Sequence, residues 1–203
     1  MNKKNKKQLS RERSISVLSD AAFLLFRERG YHATSLEAIA AEAGLSKGAI
    51  YFFFGSKENL IVHLFEIIRT EIIEPQIVAI EGTHGEFVDR VVAYIHVGSA
   101  AGVDRPDKLL FLIRMSIEFG KQDNSIGEGI RSLYGEVYAR LESVYIGERR
   151  ADDALASKAK VVSSMVVAVH DGMMLQYHLR ESEIGGSELV RNVRQMILNG
   201  LHI

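Results

Sequence analysis

LEAIAAEAGLSKGAIYFFFGSK, residues 36–57, decides how the rest of the chain is read. Ile39 and Ala43 give a first short helix its apolar face, and Ala40 is small where a second helix must cross closely. Gly44 follows four residues after Ala40, at a turn where a positive φ costs glycine least. Leu45 fills the turn, and Ile50 and Phe53 give the second helix its inward face. A small residue, a glycine four on and an aliphatic six further is the spacing of a DNA-binding helix-turn-helix. An ordinary helical hairpin shares each of these elements singly, so the flanks have to separate the two readings.

Upstream, Ile15, Leu18, Ala22, Leu25 and Phe26 recur at intervals of three and four, which predicts a helix from about Ser10 that Gly30 closes. The first eight residues, MNKKNKKQ, are polar enough to be expected mobile. Thr34 with Glu37 three residues later reads as a capping box that opens the next helix at about Ser35. A third helix is expected over Ser46–Phe53, and Ser56 caps a fourth that carries Leu60, Ile61, Leu64, Phe65, Ile68 and Ile72 and bends or breaks at Pro75. Beyond residue 80, helical segments are expected over 86–101, 106–120, 125–145, 151–180 and 187–201. Strand alternation and hairpin dipeptides do not appear, so the reading is all-α, with about nine helices and no strong internal repeat.

The 203 residues are 47% hydrophobic and 25% charged, which fits a globular chain of one or two domains. Cysteine is absent, which excludes disulfides, thiolate metal sites and cysteine nucleophiles and fits a reducing cytoplasm. No apolar stretch reaches the roughly 20 residues of a membrane span, and no apolar run follows the basic start, so neither a membrane segment nor a leader is expected. Charge is unevenly placed. Residues 1–63 hold ten Lys and Arg against six Asp and Glu, and the remainder fifteen against twenty. A basic N-terminal module on an acidic body is one reading, and a solvated lysine-rich tail is the other.

The four consecutive aromatics cannot share one role, because successive helical residues point about 100° apart. Phe53 is expected to face the helix-turn-helix core, and Phe54 to pack under the first and fourth helices. Tyr51 turns outward, where its hydroxyl reaches a phosphate oxygen, and Phe52 is left exposed beside it unless a surface such as a DNA sugar edge covers it. Lys57 is a point charge at the start of the fourth helix, where the helix dipole also favours an anion. Tyr51, Lys57 and the Thr34 hydroxyl are therefore expected to clamp a DNA strand. Ser46, Lys47, Gly48 and Ala49 start the third helix: Gly48 allows close approach, Ala49 meets a thymine methyl, and Lys47 reaches either a guanine edge or a phosphate. Ser46 serves as helix cap, as contact, or as both. The basic tail, Lys3 to Arg13, either follows the DNA backbone, enters the minor groove or stays in solvent.

The arrangement T-S-L-E-x-I-A-x-x-A-G-L-S-K-G-A-I-Y-x-x-F-x-S-K-E-x-L, preceded by F-x-E-x-G-Y, resembles the tetracycline-repressor (TetR) family of bacterial regulators over about residues 10–65. Phe52-Phe53 depart from it, standing where many members carry a more polar aromatic such as Tyr or His. The resemblance implies a one-component transcriptional regulator, a repressor in its action on an operator, with two divisions: 1–56 as the helix-turn-helix DNA-binding domain and 57–203 as the helical effector-binding and dimerisation domain. It further implies a homodimer on a near-palindromic double-stranded operator and release by a small-molecule effector. The alternatives are a DNA-binding factor that responds to no effector or to another protein, and a helical-bundle enzyme or carrier, which would want inward-facing paired carboxylates or a Glu-x-x-His motif.

For the dimer, Ala168, Asp171, Gly172 and Leu175 on one late helix and Val190, Val193 and Ile197 on the last give a small-residue and aliphatic face, some of which must be intrachain core. For the effector, the family's hollowed core implies a pocket, and the large adaptable residues Phe65, Tyr94, Phe111, Met115, Tyr134, Tyr138, Met173, Met174 and Tyr177 suit an apolar or aromatic ligand, although such residues more often form plain core. His96, Arg114 and His170 are polar candidates to line it, with Gln176. The seven histidines include no i, i+4 pair and no HExxH, and neither a phosphate loop nor a GxSxG elbow occurs. No catalytic residue, metal or cofactor is therefore expected.

Overall fold

The computed structural model describes residues 3–180 and 183–200, and no strand occurs among them. The α-helices are α1 Lys3–Ala33, α2 Leu36–Glu42, α3 Lys47–Phe54, α4 Lys57–Ile68, α5 Glu74–Gly82, α6 Phe87–Asp104, α7 Pro106–Phe119, α8 Ser125–Ile146, α9 Asp153–Arg180 and α10 Gly186–Gly200. A π-helical turn, Arg69–Ile73, joins α4 to α5 without a break in helical φ/ψ, so the described residues form nine separate helices. Pro75 explains the widened turn. It has no N–H to give and its ring excludes the carbonyl four residues back, and the π turn absorbs both defects where a bend or break was expected.

α1 begins at Lys3, upstream of the expected Ser10, and is interrupted at Gly30 (φ 80°, ψ 172°) before its last turn. That backbone region is nearly exclusive to glycine. A Cβ there would also stand 2.6 Å from Nη2 of Arg114. Residue 201, the expected end of the last helix, lies outside the described residues, as do the side chains of residues 3–7 in the basic tail.

The chain divides into two compact units: one is the chain up to Ile67 together with Asp107–Ile130, and the other is Ile68–Pro106 with the chain from Arg131 on. In the first, Leu18, Leu25 and Phe26 of α1, Ile39 of α2, Ile50 of α3, Leu60 and Leu64 of α4 and Phe111 of α7 are sealed from solvent. Helices of seven and eight residues such as α2 and α3 have no stability of their own in water, so this shared burial holds them in place. Phe23 meets Phe111 edge to face at 5.2 Å. Polar contacts fasten α7 to the end of α1: Arg27 pairs with Asp107 at 2.5 Å, Arg114 Nη1 donates to the Arg27 carbonyl at 2.7 Å, and His32 Nε2 lies 3.2 Å from Glu118.

In the second unit α6 packs on α5, α9 and α10. Val91, Tyr94 and Ile95 of α6 are buried there, as are Leu133, Val137 and Leu141 of α8 and Val162, Val166 and Val167 of α9. Glu86 and Asp89 cap the start of α6 reciprocally.

Candidate nucleic-acid interface

The helix-turn-helix forms from its own local rules. Ser35 is the N-cap of α2 and its hydroxyl accepts from the Ala38 N–H at 3.1 Å. Gly44 takes φ 65°, and the Gly44 and Leu45 N–H groups close the turn onto the Ala41 and Ala40 carbonyls. Ile50 is fully buried, which fixes the roll of α3. The opposite side of α3 then carries Ser46, Lys47, Gly48, Tyr51 and Phe52 in solvent, with Ala49 half-buried. Phe52 is 79% exposed. Ser46 is the N-cap residue, and its hydroxyl makes no capping hydrogen bond. Lys47 pairs with Glu37 of α2 and lies 5.5 Å from the centre of the Tyr51 ring. That pairing lowers the Glu37 carboxyl pKa and raises that of the Lys47 ammonium. Phe53 meets Phe52 edge to face at 5.0 Å and lines, with Phe52, Arg11, Ser14 and Ile15, a groove of about 580 Å³ between α1 and α3.

Thr34 departs from the expected clamp. It is buried, and its hydroxyl is shared between the Leu25 and Gly30 carbonyls at 3.1 and 2.7 Å. The hydroxyl therefore ties off the end of α1, faces no ligand, and forms no capping box, because Ser35 holds the cap. Lys57 is also turned inward. Its ammonium donates to the Tyr31 carbonyl and sits 4.1 Å over the Tyr31 ring, and burial lowers its pKa. Tyr51 alone of the three expected clamp residues is exposed. Ser56 caps α4 as expected, accepting from Asn59 N–H at 3.0 Å. Glu37 was missed. The sequence signal was available, since an acid on α2 of a basic module is out of keeping with its charge.

The residues proposed for an effector pocket fall into both units. The tilted rings of Phe65 and Phe111 lie 6.0 Å apart in the core of the first unit, where Met115 is also buried. Arg114 is exposed and spends its guanidinium on α1, so the expected lining role is corrected: its donors are used within the first unit. In the second unit Tyr94, His170, Met173 and Met174 are buried, the Tyr94 and His170 rings lie 5.3 Å apart, and Tyr134 stacks on Tyr138 at 6.1 Å. His96 is exposed beside an α6–α10 groove of about 380 Å³, and Tyr177 packs on Gly186.

Among the residues expected to pair two subunits, Asp171 and Ile197 face inward. Asp171 accepts from the Tyr134 hydroxyl at 2.9 Å, and Ile197 is buried in its own chain. Ala168, Gly172 and Leu175 are exposed on α9, whereas Val190 and Val193 are half-buried on α10. Val161, Met165 and Leu179 extend the exposed apolar row of α9.

A short helix presented through a glycine turn, with its polar and aromatic row outward, defines a helix-turn-helix DNA-binding protein. The family of bacterial regulatory proteins designated tetR matches residues 18–64, from the middle of α1 into α4. The MbdR regulator of Azoarcus sp. CIB is 30% identical, with 94% of this chain and 100% of that one covered and a TM-score of 0.76. The chain belongs to the TetR family of transcriptional regulators. It is also 28% identical to the HTH-type regulator LmrA of Bacillus subtilis over 82% of this chain and 85% of that protein. FadR of Bacillus subtilis, solved in complex with stearoyl-CoA, shares the fold at 18% identity, with 92% and 99% covered and a TM-score of 0.71. The chain spans less than a third of the first curated relatives it matches, 29% of one B. subtilis regulator and 28% of that organism's fatty acid metabolism regulator.

Proposed function

We propose that this regulator is a cytoplasmic repressor that binds a near-palindromic operator as a homodimer and leaves it when a small apolar or aromatic effector binds, with residues 1–56 reading DNA and 57–203 serving effector and partner. The observation that carries the reading is the outward row of α3. Ser46, Lys47 and Tyr51 offer polar groups, Gly48 removes bulk, and Phe52 stands 79% exposed where only a covering surface repays its exposure. Tyr51 contacts a phosphate, Lys47 a phosphate or a guanine edge, and Lys57 joins them only by leaving the Tyr31 carbonyl. The stearoyl-CoA held by FadR of Bacillus subtilis supports a ligand with a long apolar part as one kind of effector for this fold.

The test is fluorescence anisotropy with duplexes from the region upstream of this gene and its divergent neighbour, across 50–200 mM salt, repeated with a metabolite panel. The reading expects a palindromic fragment bound with a steep negative slope of log affinity on log salt. Equal, weak binding to every fragment would sink it.

A further inference from the structure

Gln76 of α5 and His170 of α9 are each 1% exposed, and Nε2 of both is buried with no hydrogen-bond partner. Both atoms converge on Gly98 of α6: a Cβ there would stand 2.1 Å from Gln76 Nε2 and 2.4 Å from His170 Nε2. An unpaired buried amide or imidazole nitrogen costs the fold the desolvation of that group, so a site that keeps two of them facing one point is built to be completed. Helical spacing gives the point apolar walls. Ile72 and Ile80 flank Gln76 at four residues on either side, Tyr94 precedes Gly98 by four, and Met173 and Met174 follow His170 by three and four, all buried.

Hydrogen-bond chemistry selects the missing group. His170 Nδ1 lies 3.3 Å from Asp171 Oδ1, so the imidazole donates there and its Nε2 carries a lone pair. Gln76 Nε2 is a donor. The pair therefore asks for one atom that accepts from the amide and donates to the imidazole. An anion is disfavoured because the Asp171 carboxylate already belongs to the cluster, held by His170 and the Tyr134 hydroxyl. Burial first, and Asp171 next, push the neighbouring Tyr94 phenol well above its ordinary pKa, which marks the surroundings as hostile to negative charge.

We propose that Gln76 and His170, closing over Gly98, anchor the hydroxyl of an uncharged, mainly apolar effector. The inference rests on the reading of the second unit as effector-binding and names the chemical class.

The experiment uses the full chain and the variants Gln76→Met and His170→Phe, with 4-butylphenol, its methyl ether 4-butylanisole, butylbenzene and 4-butylbenzoate as probes in titration calorimetry. Expected is binding of the phenol about tenfold tighter than the ether, one hydrogen-bond pair's worth, with that advantage lost in both variants. Without probe, Gln76→Met is expected to melt as high as the parent or about 2–4 °C higher, because it deletes an unpaired buried nitrogen. His170→Phe also gives up the Nδ1 contact with Asp171 and is used for the binding comparison alone. A fall in melting temperature in Gln76→Met shows its nitrogen permanently partnered within the fold and overturns the proposal. So do equal affinities for phenol and ether, preference for the benzoate, or binding of none of the four. Operator anisotropy on the same parent sample separates the failures: retained DNA binding leaves the regulator standing and removes only the anchor.

Discussion

Lys47 of α3 holds its ammonium on the Glu37 carboxylate of α2, so the recognition helix's only cation is engaged by an acid of its own domain. Both side chains are about half exposed, at 45% and 59%. In the proposed DNA contact, a phosphate or guanine competes with Glu37 for the same ammonium, and the Glu37 carboxylate repels the duplex. Glu37→Gln is expected to tighten binding to all duplexes a few-fold with almost no change in melting temperature, as suits an exposed pair. Lys47→Ala is expected to weaken binding, reduce the salt slope by about one, and alter base preference. Anisotropy titrations of both variants against the operator and a scrambled duplex check this; weaker binding by Glu37→Gln contradicts it.

Lys57 and Tyr51 divide what the sequence reading assigned to one clamp. Lys57 donates to the Tyr31 carbonyl beneath the surface and rests on the Tyr31 ring, so it braces the junction of α1 and α4. A hydrogen bond and a cation–π contact together are worth about 1–2 kcal/mol, so Lys57→Ala is expected to lower the melting temperature by about 3–8 °C. Tyr51→Phe, which removes an exposed hydroxyl, is expected to leave stability alone and weaken binding evenly across sequences. Calorimetric melting beside DNA titration separates the two, and an unchanged melting temperature in Lys57→Ala counts against the brace.

Thr34→Val removes a buried hydroxyl while keeping its shape. The hydroxyl bonds two carbonyls at the break in α1, so the expected loss is about 1–3 kcal/mol, read as a fall of several degrees in melting temperature. At a temperature where the variant is fully folded, operator affinity is expected to match the parent. A selective loss of affinity with unchanged melting would return Thr34 to the DNA face.

His63 of α4 packs on the Phe54 ring at 5.2 Å, and its Nε2 is buried without a partner. Burial lowers its pKa below the ordinary 6.5, an effect Glu66 partly opposes. The folded state then binds the proton less readily than the unfolded chain. Its contribution to stability is complete above pH 6.5 and is lost as pH falls from there through the folded pKa. Melting temperature is expected to decline less steeply from pH 7 to pH 5 in His63→Leu than in the parent; identical slopes refute the assignment.

Helix existence and type were legible because the evidence for them is local: the stripe of α1, Gly44 in the turn and Ser56 as cap all sit where spacing put them. The outward set on α3 followed from the same arithmetic once Ile50 was inward. Choices between two local partners were not legible. Thr34 and Ser35 are adjacent candidates for one cap, and only the Leu25 and Gly30 carbonyls at the end of α1 decide that Thr34 turns inward. Lys57 reads equally as a phosphate ligand or as a brace until the Tyr31 carbonyl is placed beside it. Gln76 and Gly98 escaped notice because an isolated amide and a mid-helix glycine acquire meaning only when α5, α6 and α9 are packed together.

The exposed row Val161, Met165, Ala168, Gly172, Leu175 and Leu179 repeats at four and three residues along α9, the spacing of a seam between helices. Among the described residues, nothing fills the space a Cβ would take at Gly172, so a facing helix has room to approach closely. Met196 adds an exposed apolar side chain on α10. Two such faces brought together by two-fold symmetry bury a mixed aliphatic and small-residue surface, whereas Asp171 and Ile197 stay within each chain. A charge at the middle of this row must be desolvated without a partner, which costs several kcal/mol when it occurs twice across a two-fold axis. Met165→Glu is therefore expected to shift the protein from dimer to monomer in light scattering at micromolar concentration while helical circular dichroism is kept. Operator affinity is expected to fall at least about a hundredfold with it, since a single α3 supplies too few contacts for specific binding. A variant that remains dimeric, or a monomer that binds the palindrome as tightly as the parent, would move the subunit interface away from α9.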